Sequence, residues 1–277
     1  MSGPTAGPEY AEPNFPRVVG ACIYCGAGPA PDAPLGDEHV VPYGLSGEWV
    51  LRDASCPSCA DVTSNVERDV LRNALLPLRA KLGLRTRRKR ERPATLPLVA
   101  RCGDGPDAEH VTLHLPAAEH PGTVFFPRFP PAAALRPRAS YGGGTDVLGS
   151  YLFYAERERL ARLRAELGAA TFTARATFKP AAFARTVAKI GYAFAVACVG
   201  LDALEDAVAE VPARPVVLGH TADVSRWVGG DWSAPVNPAE GRHAVTLTQV
   251  DGWLTAFVRL FAGYGAPEYH AVVARLR

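Results

Sequence analysis

The residues best suited to chemistry in this 277-residue sequence are four cysteines arranged as two Cys-x-x-Cys pairs, with thirty residues between the pairs. The pairs are Cys22 with Cys25 and Cys56 with Cys59. Each pair fits a tight turn that points two thiolates at one ion, and two such turns complete a tetrahedral sulfur site of the kind Zn²⁺ usually occupies. A closed four-thiolate site leaves no open coordination position, so we expect this zinc to be structural. The alternatives are a redox-active pair or four unrelated buried thiols, and the repeated spacing disfavours both.

The segment between the two pairs contains the stretch "DEHVVPYGLSGEW", in which an acid and a histidine are adjacent. Neighbouring side chains of an extended strand point to opposite faces. Glu38 and His39 can therefore serve one site only if they have different roles or lie at a bend. A surface histidine, or one with a purely structural role, is the alternative interpretation of His39.

A strongly basic stretch follows the second cysteine pair. Residues 67–92 contain ten Lys/Arg and three Asp/Glu, an excess of seven positive charges, although the whole chain has a net charge of only +2. Arginine forks suit phosphate oxygens, so this stretch predicts contact with nucleic acid, and a solvated helix face is the alternative. The predicted contacts are Arg85, Arg87, Arg88, Lys89 and Arg90.

The order of these features resembles the HNH endonuclease family, and more narrowly its four-cysteine, zinc-bearing branch. The resemblance covers residues 21–90, and "EHVVP" between two Cys-x-x-Cys pairs is its most specific part. It implies a ββα-metal fold, in which a hairpin and a helix hold one divalent ion at a nucleic-acid phosphate, with DNA as the expected partner. By position, His39 would be the general base that activates water, and Glu38 would bind a catalytic Mg²⁺ or similar cation. Asp37 is a rival for the role of Glu38.

The sequence departs from this family at the residue directly after the fourth cysteine. The family usually has Asn or His there as the second protein ligand of the catalytic ion, whereas this chain has Ala60. Asp61 and Asn65 are the predicted substitutes, and Asp61 is preferred because a carboxylate suits a hard cation. Asp53 is a candidate for an asparagine that the family often has before the second cysteine pair.

Composition sets the broader expectations. Hydrophobic residues make up 48% of the chain, enough for a sizeable core. We found no apolar run of the roughly 18–20 residues that a membrane span needs, and the first fifteen residues lack the features of a signal peptide. We therefore expect a cytoplasmic protein with reduced thiols. The oligomeric state is left open.

The predicted fold class is α+β. We expect a flexible segment over residues 1–20, a zinc and nuclease-like module with a basic helix over 21–92, and a mixed α+β domain of unknown role over 93–277. Ser64 and Glu67 form a capping-box pattern that predicts a helix start. The segment that begins at Pro180 predicts a buried central helix, and "RPVVLGH" near the C-terminus predicts a strand.

These features support three hypotheses. The first is a metal-dependent HNH-type endonuclease with His39 as its base. The second is a catalytically degenerate zinc protein that still binds nucleic acid, which Ala60 favours. The third is an interaction protein in which the zinc knot is purely structural.

Overall fold

The computed structural model describes residues 6–11, 13–87, 92–103, 107–136, 142–173, 178–230 and 242–277, and it has the expected mixed α+β composition. The helices are α1 (Pro57–Arg72), α2 (Leu76–Lys81), α3 (Arg157–Leu167), α4 (Pro180–Val199), α5 (Leu201–Ala207), α6 (Ala213–Leu218) and α7 (Val224–Trp227). The strands are β1 (Ala6–Glu9), β2 (Arg17–Val18), β3 (Gly36–His39), β4 (Val50–Ser55), β5 (Thr95–Cys102), β6 (Glu109–Pro116), β7 (Thr123–Arg128), β8 (Gly149–Tyr154), β9 (Ala169–Thr173), β10 (Val208–Glu210), β11 (Val228–Gly230), β12 (His243–Val250), β13 (Trp253–Leu260) and β14 (Tyr269–Leu276).

A small sheet in the order β2-β4-β3 carries the acid and the histidine. β3 and β4 are antiparallel, with Glu38 opposite Leu51 and His39 opposite Val50, while β2 runs parallel to β4. Alternation along β3 places the two side chains in different surroundings, as the period of a strand requires. Glu38 is buried and His39 is half-buried.

Helix α1 follows this sheet directly and begins earlier than the capping-box pattern predicts. Cys56 is its N-cap and Pro57 occupies the first helical position, where a missing N–H does no harm. Ser64 and Glu67 therefore lie inside the helix and do not begin it. The helix ends at Arg72, and Pro77 lies in the first turn of the separate helix α2, as expected for a residue that breaks a longer helical run.

Helix α4 is the centre of the molecule, and Pro180 begins it as predicted. It packs on the large antiparallel sheet, whose order is β1-β12-β13-β14-β10 with β11 also paired to β14. Gly191 allows close approach, since a Cβ there would lie 2.9 Å from that of Ala256 and 3.1 Å from that of Ala271. By length and composition α4 is apolar enough to cross a membrane, but 83% of its apolar window is buried inside the protein. Arg185 and Lys189 interrupt the run and hid it from the sequence search.

The remaining strands form smaller antiparallel sheets in the order β6-β5-β9 and the pair β7-β8. The segment "RPVVLGH" was wrongly predicted as a strand: its first five residues lie in α6, and Gly219 caps the end of that helix. Its Val216 and Val217 are buried, so an apolar run too short to show a period packed as a helix. Buried residues from both sides of the predicted domain boundary at residue 93 belong to one hydrophobic cluster, which includes Leu51, Phe183 and Val258.

Hydrogen bonds from α4 and α6 hold the first cysteine turn against this core. The Tyr192 hydroxyl donates to the carbonyl oxygen of Ile23 at 2.5 Å, and the Arg214 guanidinium donates to the same oxygen at 3.0 Å. Arg214 also donates to the Tyr192 hydroxyl at 2.7 Å. The backbone between Cys22 and Cys25 is therefore tied to residues more than 160 positions away.

Replacing Tyr192 with Phe should lower the free energy of unfolding by about 1–2 kcal/mol. The change removes the buried hydrogen bond to Ile23 and also removes one hydrogen-bond acceptor of Arg214. Urea titration followed by tryptophan fluorescence measures this. Tyr264→Phe is the matched control, since Tyr264 is 39% exposed and should tolerate the change. Equal stability of the two variants would show that the Tyr192 bond does not hold the turn.

Candidate functional site

The four predicted zinc ligands come together. Their sulfur atoms all lie within 4.8 Å of one another, all four cysteines are free thiols, and the Sγ atoms of Cys25 and Cys56 are 3.6 Å apart. Zn–S bonds of about 2.3 Å in a tetrahedron place sulfur atoms about 3.8 Å apart, so the donor set fits zinc. The metal would be held entirely by thiolates and would fasten the first turn to α1.

Local structure explains why these sulfurs converge. In the first turn Gly26 adopts a φ of +75° and donates its N–H to the Cys22 carbonyl oxygen at 2.8 Å, which folds the chain back on itself. In the second, Cys56 caps α1 and Cys59 lies one turn inside it. Burial acts to raise the pKa of Cys56, but hydrogen bonds with Ser58 and the Cys59 backbone lower it to about 6. A thiolate at a helix N-terminus is also favoured by the helix dipole.

Glu38 does not face an open metal position, because the ammonium of Lys189 lies against its carboxylate. Lys189 Nζ is 2.6 Å from Glu38 Oε1 and 2.9 Å from Glu67 Oε1, and the Lys189 side chain is only 2% exposed. Burial alone would lower the pKa of Lys189, but Glu38 and Glu67 together raise it, so the ammonium is charged. Burial raises the pKa of Glu38, and Lys189 opposes that rise.

Lys189 also reaches the backbone of the strand that carries Glu38. Its Nζ donates to the carbonyl oxygen of His39 and lies 3.4 Å from that of Val40. The ammonium thus joins α4, α1 and β3 at one buried point.

His39 lies on the other face of β3. Its ring packs edge-on against Tyr43, with ring centroids 5.5 Å apart. Burial, followed by the nearby charges of Lys189 and Arg87, lowers the pKa of His39 and outweighs the opposing effect of Glu67 and Asp37. The imidazole is therefore neutral near pH 7 and able to accept a proton.

The two predicted substitutes for the missing ligand are not brought to Glu38. Asp61 and Asn65 are exposed, and each lies about 200° around the helix from the buried Thr63. Asn65 accepts a hydrogen bond from Arg68 on that outer face. Their roles as ligands stay predictions that the geometry does not favour. Of the other candidates, Asp37 is exposed and paired with Arg52, and Asp53 is exposed with a φ of +51°.

Glu67 is the residue of α1 that faces Glu38, and the sequence analysis missed it. Its position on the inner stripe with Thr63, Val66 and Val70 was the available signal, because those residues share one helix face. The capping-box interpretation concealed it. Lys189 was hidden for a different reason, since nothing local in α4 indicates which strand its side chain reaches.

This arrangement does not fit a catalytic Mg²⁺ held by Glu38 and Asp61. Glu38 is buried and paired with an internal ammonium, and Asp61 points outward. No step through such an ion follows from the described residues.

A cleft of about 380 Å³ opens beside this cluster, between α1, α2 and the segment before residue 88. Five arginines line it, and Glu67 is the acid that lines it among the described residues. The arginines are Arg68, Arg72, Arg79, Arg87 and Arg92. Glu67 already pairs with Lys189, and five arginines against this one acid give the described lining of the cleft a positive charge.

Arg79 shapes this cleft. Its guanidinium donates to the carbonyl oxygens of Gly44 at 2.7 Å, Leu71 at 2.7 Å and Arg85 at 3.2 Å. A Cβ at Gly44 would lie 2.9 Å from Arg79 Nη2, so glycine permits this approach. Burial, with smaller contributions from Arg92 and Arg72, lowers the pKa of Arg79 to about 10.

Tyr43 connects the cleft to His39. Its ring lines the cleft, and the guanidinium carbons of Arg85 and Arg87 lie 5.7 Å and 5.8 Å from its centroid. Arg85 also contacts Glu48 at 3.4 Å. Among the predicted nucleic-acid contacts, Arg87 lines the cleft and Arg85 stands at Tyr43, whereas Arg88, Lys89 and Arg90 lie outside the described residues.

Comparison with known proteins finds no matching family model, no matching curated protein and no matching solved structure. A four-cysteine cluster does not by itself identify a family. The HNH resemblance therefore rests on the motif of residues 21–90 alone.

The purified chain should contain about one zinc ion, and Cys25→Ser should lower that content and the affinity for metal. Metal analysis and the visible spectrum of a Co²⁺-substituted sample, which reports tetrahedral thiolate coordination, measure both. Cys102→Ser is the control, because Cys102 is a free thiol outside the cluster. Full metal content and an unchanged cobalt spectrum in Cys25→Ser would contradict the four-thiolate site.

Proposed function

We propose that this chain is a zinc-stabilised nucleic-acid-binding protein that holds phosphate in the arginine-lined cleft beside Tyr43 and His39. The observation that carries the proposal is the set of five arginines around one cleft, opposed by a carboxylate that is already paired. Duplex DNA is the partner that the resemblance to HNH proteins predicts.

The clustering of positive charge in the cleft supports this proposal more strongly than the amino-acid composition of the whole chain does. Neighbouring arginines raise each other's electrostatic energy, and the pKa of Arg79, lowered chiefly by burial, is lowered further by Arg92 and Arg72. A phosphate would relieve it with charge-assisted hydrogen bonds. Since Arg79 is committed to three carbonyl oxygens, the exposed Arg68 and Arg87 are the better phosphate contacts.

Size and shape agree with a nucleotide. A volume of about 380 Å³ falls in the usual range of small-molecule pockets, roughly 300–1,000 Å³. The guanidinium groups of Arg85 and Arg87 lie over the Tyr43 ring, so this wall presents cations to a phosphate beside an aromatic surface. The cleft would therefore bind the phosphate backbone without strong sequence preference.

The order of elements supports the finer proposal of a ββα-metal module. An antiparallel strand pair, β3 and β4, is followed by α1, and the cysteine cluster joins the preceding turn to the start of α1. In this proposal zinc is the structural ion of the module and Lys189 takes the position next to Glu38.

Reversing the charge of two arginines in the cleft, as Arg68→Glu with Arg87→Glu, should weaken binding on the order of tenfold or more. It should also reduce the slope of log affinity against log salt by about two, since two phosphate contacts are lost. Fluorescence anisotropy with labelled single-stranded and duplex DNA and RNA, over a series of salt concentrations, measures both quantities.

Arg162→Glu serves as the control for this pair, because Arg162 is exposed on α3, away from the cleft. An equal loss in the control would indicate a diffuse charge effect, and an unchanged affinity and slope in the double variant would refute the cleft as the binding surface. The ligand that binds most tightly identifies DNA or RNA.

Phosphodiester hydrolysis is the second candidate function, and the environment of His39 favours it. A neutral imidazole is the form required of a general base, and His39 packs against Tyr43, which lines the cleft. Arg87, which influences the His39 charge, lines the same cleft and would stabilise negative charge on a bound phosphate.

If hydrolysis occurs, His39→Ala should reduce the rate of plasmid nicking by about 100-fold or more, the usual contribution of a general base. The reaction should lose rate only below the lowered pKa of His39, because the imidazole must be protonated to stop acting as a base. Nicking is measured with Mg²⁺, with Mn²⁺ and with chelator, and zinc content is checked in each sample. His114→Ala is the control, since His114 lies on β6. Equal rates in wild type and His39→Ala would remove the catalytic hypothesis and leave the binding proposal intact.

A further inference from the structure

The surroundings of Lys189 Nζ are those of a bound cation. Four oxygen atoms face it, two from the carboxylates of Glu38 and Glu67 and two from the backbone carbonyls of His39 and Val40. Carboxylate and carbonyl oxygens are the ligands that hard divalent cations prefer. These four oxygens come from β3, the residue after it and α1, so two separate elements converge on one point.

The ammonium does not use all that these groups offer. It has three protons for four acceptor oxygens, and its single positive charge faces two carboxylates. A divalent ion would match both acidic groups and accept more ligands. One of the two carboxylate charges therefore remains unbalanced while the Lys189 ammonium occupies this point.

Tyr24 gives an independent indication that the point is built for a ligand. Tyr24 is 3% exposed and its hydroxyl makes no hydrogen bond of ordinary geometry, yet it is near enough to Glu38 to act as a donor that favours the charged carboxylate. A buried hydroxyl without a regular partner is uncommon, because no hydrogen bond in the protein replaces those that the hydroxyl makes with water.

We propose that Glu38, Glu67 and the carbonyl oxygens of His39 and Val40 form a cation-binding site that Lys189 fills from within the chain, and that removing the ammonium opens this site to Mn²⁺ or Mg²⁺. The ion has a route inward, because the Glu67 side chain is 19% exposed and lines the arginine cleft. The carboxylates would have to move closer, since Mg–O bonds are about 2.1 Å and the present Nζ–O distances are longer. This proposal does not depend on nucleic-acid binding.

One consequence follows for the native chain. Any divalent ion that reaches Glu38 must displace a lysine that is covalently attached and therefore present at high effective concentration. Wild-type protein should thus bind Mn²⁺ at this point weakly or not at all, while the thiolate cluster retains zinc.

The test counts Mn²⁺ bound to zinc-loaded Lys189→Ala and Lys189→Met by electron paramagnetic resonance, with zinc content verified in the same samples. The expected result is a gain of one bound Mn²⁺ over wild type, and loss of that ion when Glu38→Gln is added. Lys179→Ala is the matched control, because Lys179 pairs with the single carboxylate of Asp69 and is 57% exposed. Lys189 variants that bind no more Mn²⁺ than Lys179→Ala overturn the proposal.

The cation site can also be tested if the Lys189 variants fail to fold, because a divalent ion that fills the site should restore the fold. Lys189→Met is then refolded with Mn²⁺ or Mg²⁺, or with NaCl at equal ionic strength, and followed by circular dichroism and thermal melting. Recovery with the divalent ions, absent when Glu38→Gln is also present, supports the site. Failure of the divalent ions to restore any structure, or equal recovery with NaCl, refutes it.

Discussion

The burial of the Lys189 ammonium is the constraint on which the rest of this structure depends. An isolated buried charge is costly, and removing one partner of a buried pair commonly destabilises a protein by about 3–5 kcal/mol. The fold meets that cost by bringing Glu38 from β3 and Glu67 from α1 to the same point of α4. The small sheet, its following helix and the central helix are therefore fixed in one relative position. The arginine cleft lies on the outer side of that junction, with Glu67 common to both.

Two kinds of interaction position the elements around this junction, the four-thiol cluster and the buried ion pair. The thiolate cluster organises a segment that has little hydrophobic core of its own, and Tyr192 and Arg214 connect it to the main core. The ion pair holds the hairpin and α1 against α4. Neither the four-thiol cluster nor Lys189 belongs to the described lining of the arginine cleft, and both act on it by placing α1 and the residues around Tyr43.

Local patterns in the sequence were sufficient for part of this description. The paired cysteine spacing placed four thiols in one cluster, and the apolar spacing after Pro180 identified the central helix. The cysteine spacing is a short motif that occurs twice, and the helical spacing involves residues close together in the chain.

The partner of Glu38 could not be found in that way, because Lys189 is about 150 residues away and its side chain is directed by tertiary packing. Asp61 was the preferred substitute ligand after the fourth cysteine because a carboxylate suits a hard cation, whereas helix periodicity places Glu67 inward. The arginine cleft was anticipated only in part, since Arg68 and Arg72 come from α1 and Arg79 from α2.

Tyr192 and Lys189 are three residues apart on α4 and so project from neighbouring positions of one helix face. Tyr192 reaches the backbone between the first two cysteines, and Lys189 reaches the acid and the strand between the cysteine pairs. One turn of a single helix therefore supports both the thiol cluster and the buried ion pair whose Glu67 lines the cleft. The four-thiol cluster and the arginine cleft, which would bind different ligands through different atoms, therefore both depend on the position of this one helical turn.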